Sequence, residues 1–106
     1  MRLWLAYVLK PIDKSLKRGN VLVFRKPSMY CAKGHKDLFR TINVETNEIK
    51  EWAVIVGLGY VDVKNMEEYI QKSKDIVIKK LKQLGLDEEV RFLKELGEVD
   101  SDGRQV

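Results

Sequence analysis

Two stretches of this chain place apolar side chains on consecutive residues with almost no polar alternation: Arg2 to Leu9 (RLWLAYVL) and the WAVIV run beginning at Trp52. Successive side chains of a strand point to opposite faces, so a strand that is apolar throughout must be buried on both. These two segments are therefore central strands of a sheet, and the rest of the chain has to cover them.

Lys10-Pro11 ends the first strand, and residues 12–18 (IDKSLKR) read as one or two helical turns capped by Asp13 and stopped by Gly19. Asn20 to Arg25 is a second strand closed by Lys26-Pro27, and Ser28 to Asp37 is a loop. Leu38 to Val44 and Ile49 to Val56 flank Glu45-Thr46-Asn47-Glu48, where Asn47 tolerates positive φ, so the pair reads as a β-hairpin. Gly57 and Gly59 permit a bend or bulge before a fifth strand, Tyr60 to Val63. Asn65 and Glu68 form a capping box for a helix whose apolar face runs through Met66, Tyr69, Ile70, Ser73, Val77, Leu81 and Leu84 to Gly85. Asp87 caps a second helix, with Val90, Leu93 and Leu96 as its stripe and Gly97 as its end. The expectation is an α+β domain over residues 1–97, with about five strands, mostly antiparallel, and two C-terminal helices packed on the sheet. Residues 98–106 (EVDSDGRQV) form a polar tail, frayed unless Val99 or Val106 pairs at a sheet edge.

At 106 residues the chain can bury a core without staples. A single cysteine, no signal-peptide pattern and no apolar run of membrane length lead to the expectation of a cytoplasmic protein away from membranes. Its Lys/Glu-rich composition fits a heat-adapted source.

Charge is distributed unevenly. Residues 1–41 hold ten Lys/Arg against Asp13 and Asp37, a balance of +8, whereas residues 42–106 hold ten Lys/Arg against fourteen Asp/Glu, a balance of −4. Such asymmetry points to a polyanionic partner, RNA or DNA. The candidate contacts are Lys10, Lys14, Lys17 and Arg18 in one segment and Arg25, Lys26, Lys33, His35, Lys36 and Arg40 in another, with Tyr30 as a base-stacking ring. Trp4 and Trp52 are assigned to the core. Cys31 and His35 make one C-x3-H half-site with no second pair, so neither zinc nor any other cofactor is expected. They also lack an orienting group for thiol catalysis. Gly57-Leu58-Gly59 lacks the third glycine and the following helix of a phosphate-cradling turn. Glu67 and Glu68 are explained by the helix pole and the cap.

Leu9-Lys10-Pro11, Leu16-Lys17-Arg18-Gly19 and Val23-Phe24-Arg25-Lys26 together resemble the opening of ASCH domains of the PUA-like superfamily. Lys33 to Arg40 resembles a stretched form of that family's Gly-Asp strand entry, and Val44 to Tyr60 matches the hairpin after it, so the likeness spans about residues 3–70. The resemblance implies a small PUA-like β-barrel with helices beside a cleft, and binding of RNA or a modified nucleoside. Some members are amidohydrolases of acetylated cytidine that use a lysine just after the glycine; here Asn20 and Val21 follow Gly19. The polar segment 98–106 stands where the family's closing strand would be.

Three functions follow: a nucleic-acid-binding module, RNA first; a protein–protein interaction or viral accessory protein, including a homodimer through the helices or a sheet edge; and an ASCH-type hydrolase using Lys17, Lys26 and Glu67. The first depends on topology. A parallel crossover between the first two strands would gather both basic segments at one end of the sheet, whereas a hairpin would set them at opposite ends.

Overall fold

The computed structural model describes residues 1–96 and 104–105. Four antiparallel strands form an open sheet in the order β3–β4–β1–β2: β1 (Arg2–Pro11), β2 (Val21–Phe24), β3 (Lys36–Asn43) and β4 (Glu48–Asp62). A two-residue strand, β5 (Arg104–Gln105), runs parallel to β2 along its outer edge. Two helices, α1 (Met66–Gln83) and α2 (Asp87–Leu96), lie on one face.

The expected fifth strand at Tyr60 is the continuation of β4. Leu5 pairs with Gly59 and Ala6 with Gly57, so Leu58 is bulged out and the ladder resumes beyond it. Gly59 absorbs the distortion at φ +80°. The glycines thus make the expected bulge without ending the strand, because the long β1 carries on pairing as far as Asp62. No barrel closes among the described residues: β3 and β2 are the opposite margins of the sheet, and only β5 joins the β2 margin. The PUA-like barrel is therefore not formed. Val99 and Val106 lie outside the described residues.

Alternation along β1 sorts the core into two layers. Leu3, Leu5 and Tyr7 face the helices with Val21, Val23, Val56, Leu58, Tyr69, Val77, Leu81, Val90 and Leu93. Ala6 and Val8 face the other way with Leu16, Leu22, Phe24, Cys31, Phe39, Ala53 and Ile55. Neither α1 nor α2 covers that second layer. The chain between β2 and β3 folds back across it through a single 3-10 turn, Met29–Cys31, where the Ser28 side chain accepts from the Tyr30 N–H. A methyl on Gly57 would sit 2.1 Å from the Ala32 carbonyl oxygen, so the crossing chain rests directly on this glycine.

Both helices follow their local signals. Asn65 Oδ1 accepts from the Glu68 N–H at 2.9 Å to cap α1, and Gly85 leaves it at φ +73°. Tyr69, Ser73, Val77 and Leu81 are buried as the period requires, but Ile70 is 58% exposed. Asp87 is the first residue of α2 and not its cap; the Leu86 carbonyl accepts from Glu89 and Val90, leaving Asp87, Glu88 and Glu89 at the positive pole. Residues 12–18 are a tight turn and not a helix. Asp13 accepts from the Ser15 backbone and hydroxyl, which, with Lys50, holds its carboxyl down at about 2.

The β3–β4 hairpin forms as expected, with Asn47 at φ 62°. Its outer half projects past the core: every residue from Arg40 to Glu51 is exposed, including the cross-strand pair Ile42 and Ile49.

Candidate nucleic-acid interface

The β1–β2 connection is a hairpin, with Trp4 opposite Phe24 and Tyr7 opposite Val21. Residues 10–20 therefore leave one end of β2, and residues 25–35 leave the other. Lys10, Lys14 and Lys17 are exposed at the first end. Arg25 and Lys26 are exposed at the second. The two basic segments do not converge into one site. Only Arg40, opposite Glu51 on the projecting hairpin, returns toward residues 12 and 13, whose N–H groups bond the Trp52 carbonyl between them.

Arg18 is half-buried and committed to an ion pair within the fold. Its Nε and Nη2 donate to the two Glu89 carboxylate oxygens at 3.0 and 2.9 Å, and its guanidinium lies 4.2 Å over the Phe92 ring. The buried Tyr7 hydroxyl donates to the same carboxylate at 2.9 Å, and burial, then Glu89, pushes that phenol well above its ordinary range. This bidentate pair fastens α2 to β1 and to the turn before β2. Tyr30 is also committed: its ring meets Phe39 edge-on at 5.1 Å, and its hydroxyl donates to the Arg40 carbonyl. It fills the loop-covered layer.

The remaining sequence-derived cations meet partners from elsewhere. The loop at residues 32–36 packs on the last turn of α1, where a methyl on Gly34 would touch the Leu84 side chain at 3.4 Å. Lys33 Nζ donates to Gln83 Oε1 at 3.4 Å. Lys80 Nζ donates to the Tyr60 carbonyl at 2.7 Å, beyond the point where β3 stops pairing with β4. Burial, then Lys33 and Lys79, depresses the Lys80 ammonium below its usual value. Lys82 is exposed two residues after Lys80, and His35 and Lys36 are exposed just after Lys33 in the chain; His35 Nε2 is 3.3 Å from Asp37. Among the described residues no carboxylate forms an ion pair with Lys33, Lys36, Lys79, Lys80 or Lys82.

Sequence reasoning missed the α1 lysines because the C-terminal part is acidic in sum. Within α1, however, Glu67 and Glu68 open the helix while Lys79, Lys80 and Lys82 close it. That polarity serves the helix dipole, and also concentrates positive charge at one end.

A row of aromatic rings lies beside these cations on the face without helices. Tyr60, Trp4 and Phe24 are in register across β4, β1 and β2. Phe24 is buried, Trp4 is half-buried against the loop-covered layer, and Tyr60 is 44% exposed. The Trp4 and Tyr60 rings are 5.1 Å apart at 53°, and the Arg2 guanidinium, held by Asp62 at 2.9 and 3.2 Å, lies 4.0 Å over Tyr60. Trp52 is likewise half-buried, with Nε1 donating to Thr41 and Lys50 over its ring at 3.9 Å. The core assignment of both tryptophans holds only for their inner edges. The signal for Tyr60 was Val61, which turns inward toward the helices and so sends its neighbours Tyr60 and Asp62 outward.

The catalytic alternatives find little geometry. Cys31 is fully buried and its thiol is pushed up to about 12 by burial. Lys17 and Lys26 are at opposite ends of β2, and Glu67 is exposed in the first turn of α1. Among the described residues no three His, Cys, Asp or Glu side chains gather as a metal site, and no helix is long and apolar enough to cross a membrane.

The arrangement defines an α+β protein with an open antiparallel sheet, one face under helices and the other under a loop. No family model, curated protein or solved structure matches the chain.

Proposed function

We propose that this protein binds nucleic acid, RNA in the first instance, through the basic surface that the loop 32–36 shares with the end of α1. The observation that carries the reading is the convergence of Lys33 with Lys79 and Lys80, with Lys36 and Lys82 close in sequence and exposed and, among the described residues, no carboxylate paired to any of them. Uncompensated lysines at one end of a small domain attract phosphates and release condensed counterions on binding. The choice of RNA rests on the ASCH-like motifs in residues 3–70. The 10–18 segment becomes a secondary contact, and Arg18 is removed from the contact set.

Fluorescence anisotropy with short labelled RNA and DNA over a salt series tests the reading. The log of the affinity should fall with the log of salt with a slope of about −0.7 for each single-strand phosphate contacted, and Lys33→Ala and Lys36→Ala should each flatten it by about that amount. Absence of binding at low salt, or the same slope in both variants, would overturn it.

A second reading, self-association, draws on the projecting hairpin, where Ile42, Val44 and Ile49 are 55%, 88% and 62% exposed. Light scattering that returns a monomer at every concentration would remove it.

A further inference from the structure

We infer that the ligand of this surface is single-stranded nucleic acid, with a base held on the Tyr60 and Arg2 platform beside Trp4. The inference rests on the nucleic-acid reading and narrows it.

Tyr60 is a large ring left 44% exposed on the stretch of β4 that β3 no longer pairs, with a guanidinium 4.0 Å over it and a second aromatic ring 5.1 Å away. Bases stack on aromatic faces and on guanidinium planes, and each base has such a face, so the contact tolerates any sequence. A duplex keeps its bases stacked on one another and cannot offer one to a flat sheet surface. Cations bound the row on both sides. At the β4 side Lys80 bonds the Tyr60 carbonyl itself, and a methyl on Gly59 would lie 3.8 Å from Lys33 Cβ. At the β2 side Phe24 is followed directly by exposed Arg25 and Lys26. A strand laid across β4, β1 and β2 would place phosphates on each flank and a base between them. Asp62 is no obstacle, because it is already paired with Arg2.

The probes are uridine and thymidine homo-oligomers roughly 12 nucleotides long, a duplex of the same length, and inorganic polyphosphate, which has the charge without the bases. The single strands should bind more tightly than either of the others. Tyr60→Ala should weaken single-strand binding by roughly 5- to 150-fold, the range that base stacking carries, and leave polyphosphate affinity unchanged. Tyr60→Phe should retain affinity, and Tyr60→Leu, which keeps apolar bulk without a ring, should reproduce the loss even if Tyr60→Ala folds poorly. In Trp52→Phe protein, where Trp4 is the remaining tryptophan, the single strand should quench the fluorescence. If polyphosphate and oligonucleotides all fail to bind, this inference and the nucleic-acid reading fall together. If polyphosphate, duplex and single strand bind equally, and Tyr60→Leu weakens none of them, the platform alone is overturned.

Discussion

The two faces of this sheet are built from alternate residues of the same strands, yet they are closed by different means. On one, Leu3, Leu5 and Tyr7 meet two amphipathic helices whose bulky side chains form a broad layer. On the other, Ala6, Ala53 and Val8 meet a loop with one 3-10 turn, and the chain passes close enough to require Gly57. A helix covers a wide stripe with side chains, whereas a loop covers a narrow one with backbone. The loop-covered face therefore keeps Trp4, Trp52 and Tyr60 partly uncovered at its margins, and the aromatic part of the candidate interface lies on that side.

The sharpest way to break this arrangement is Gly57→Ala. The added methyl would collide with the Ala32 carbonyl, which is backbone and cannot rotate away, so a loss of about 3 kcal/mol or more is expected in urea unfolding. A smaller penalty would mean the loop lifts easily from its face. On the helix side Arg18→Ala should cost about 1–3 kcal/mol, because Glu89 would be left partly buried with only Tyr7 as donor. The same variant should change nucleic-acid affinity far less than Lys33→Ala; equal losses would return Arg18 to the contact set.

Alkaline pH separates the layers more gently. Cys31 in the loop-covered layer has its thiol raised to about 12 in the folded state, so an unfolded chain loses that proton first. Its contribution is complete below about pH 8.5 and declines as pH climbs toward 12, at up to about 1.4 kcal/mol per unit. Between about pH 8.5 and 10, before tyrosines ionise in the unfolded chain, Cys31→Ala should remove this slope. An unchanged slope would locate the titration elsewhere. The smallest effect is expected at Tyr69, whose buried hydroxyl has no hydrogen-bond partner among the described residues. Tyr69→Phe should leave the unfolding free energy unchanged or raise it by up to about 1 kcal/mol; a clear loss would reveal a partner for that oxygen.

Features decided within a few residues were legible in advance. The Asn65 cap, the Gly85 exit, the hairpin turn at Asn47 and the bulge at Leu58 each depend on local backbone preference. The strand count was misread for the opposite reason, since whether β4 stops at its glycines depends on what β1 offers opposite, across more than fifty residues of chain. Likewise the basic residues were visible but their employment was not. Arg18 meets a carboxylate 71 positions away, Tyr30 turns inward onto Phe39, and Lys80 from the acidic part joins Lys33 from the basic one.

By itself the sequence determined an α+β chain with central apolar strands, a hairpin, two helices and a positive N-terminal part, because alternation, capping and charge are written in neighbouring residues. Tertiary structure alone decided that β1 and β2 are antiparallel, that the two basic segments part company, and that Lys33 and Tyr60 come to lie near α1. Those outcomes turn on which distant surfaces pack together, and such packing is chosen by the energy of the whole chain and not by any one segment of it.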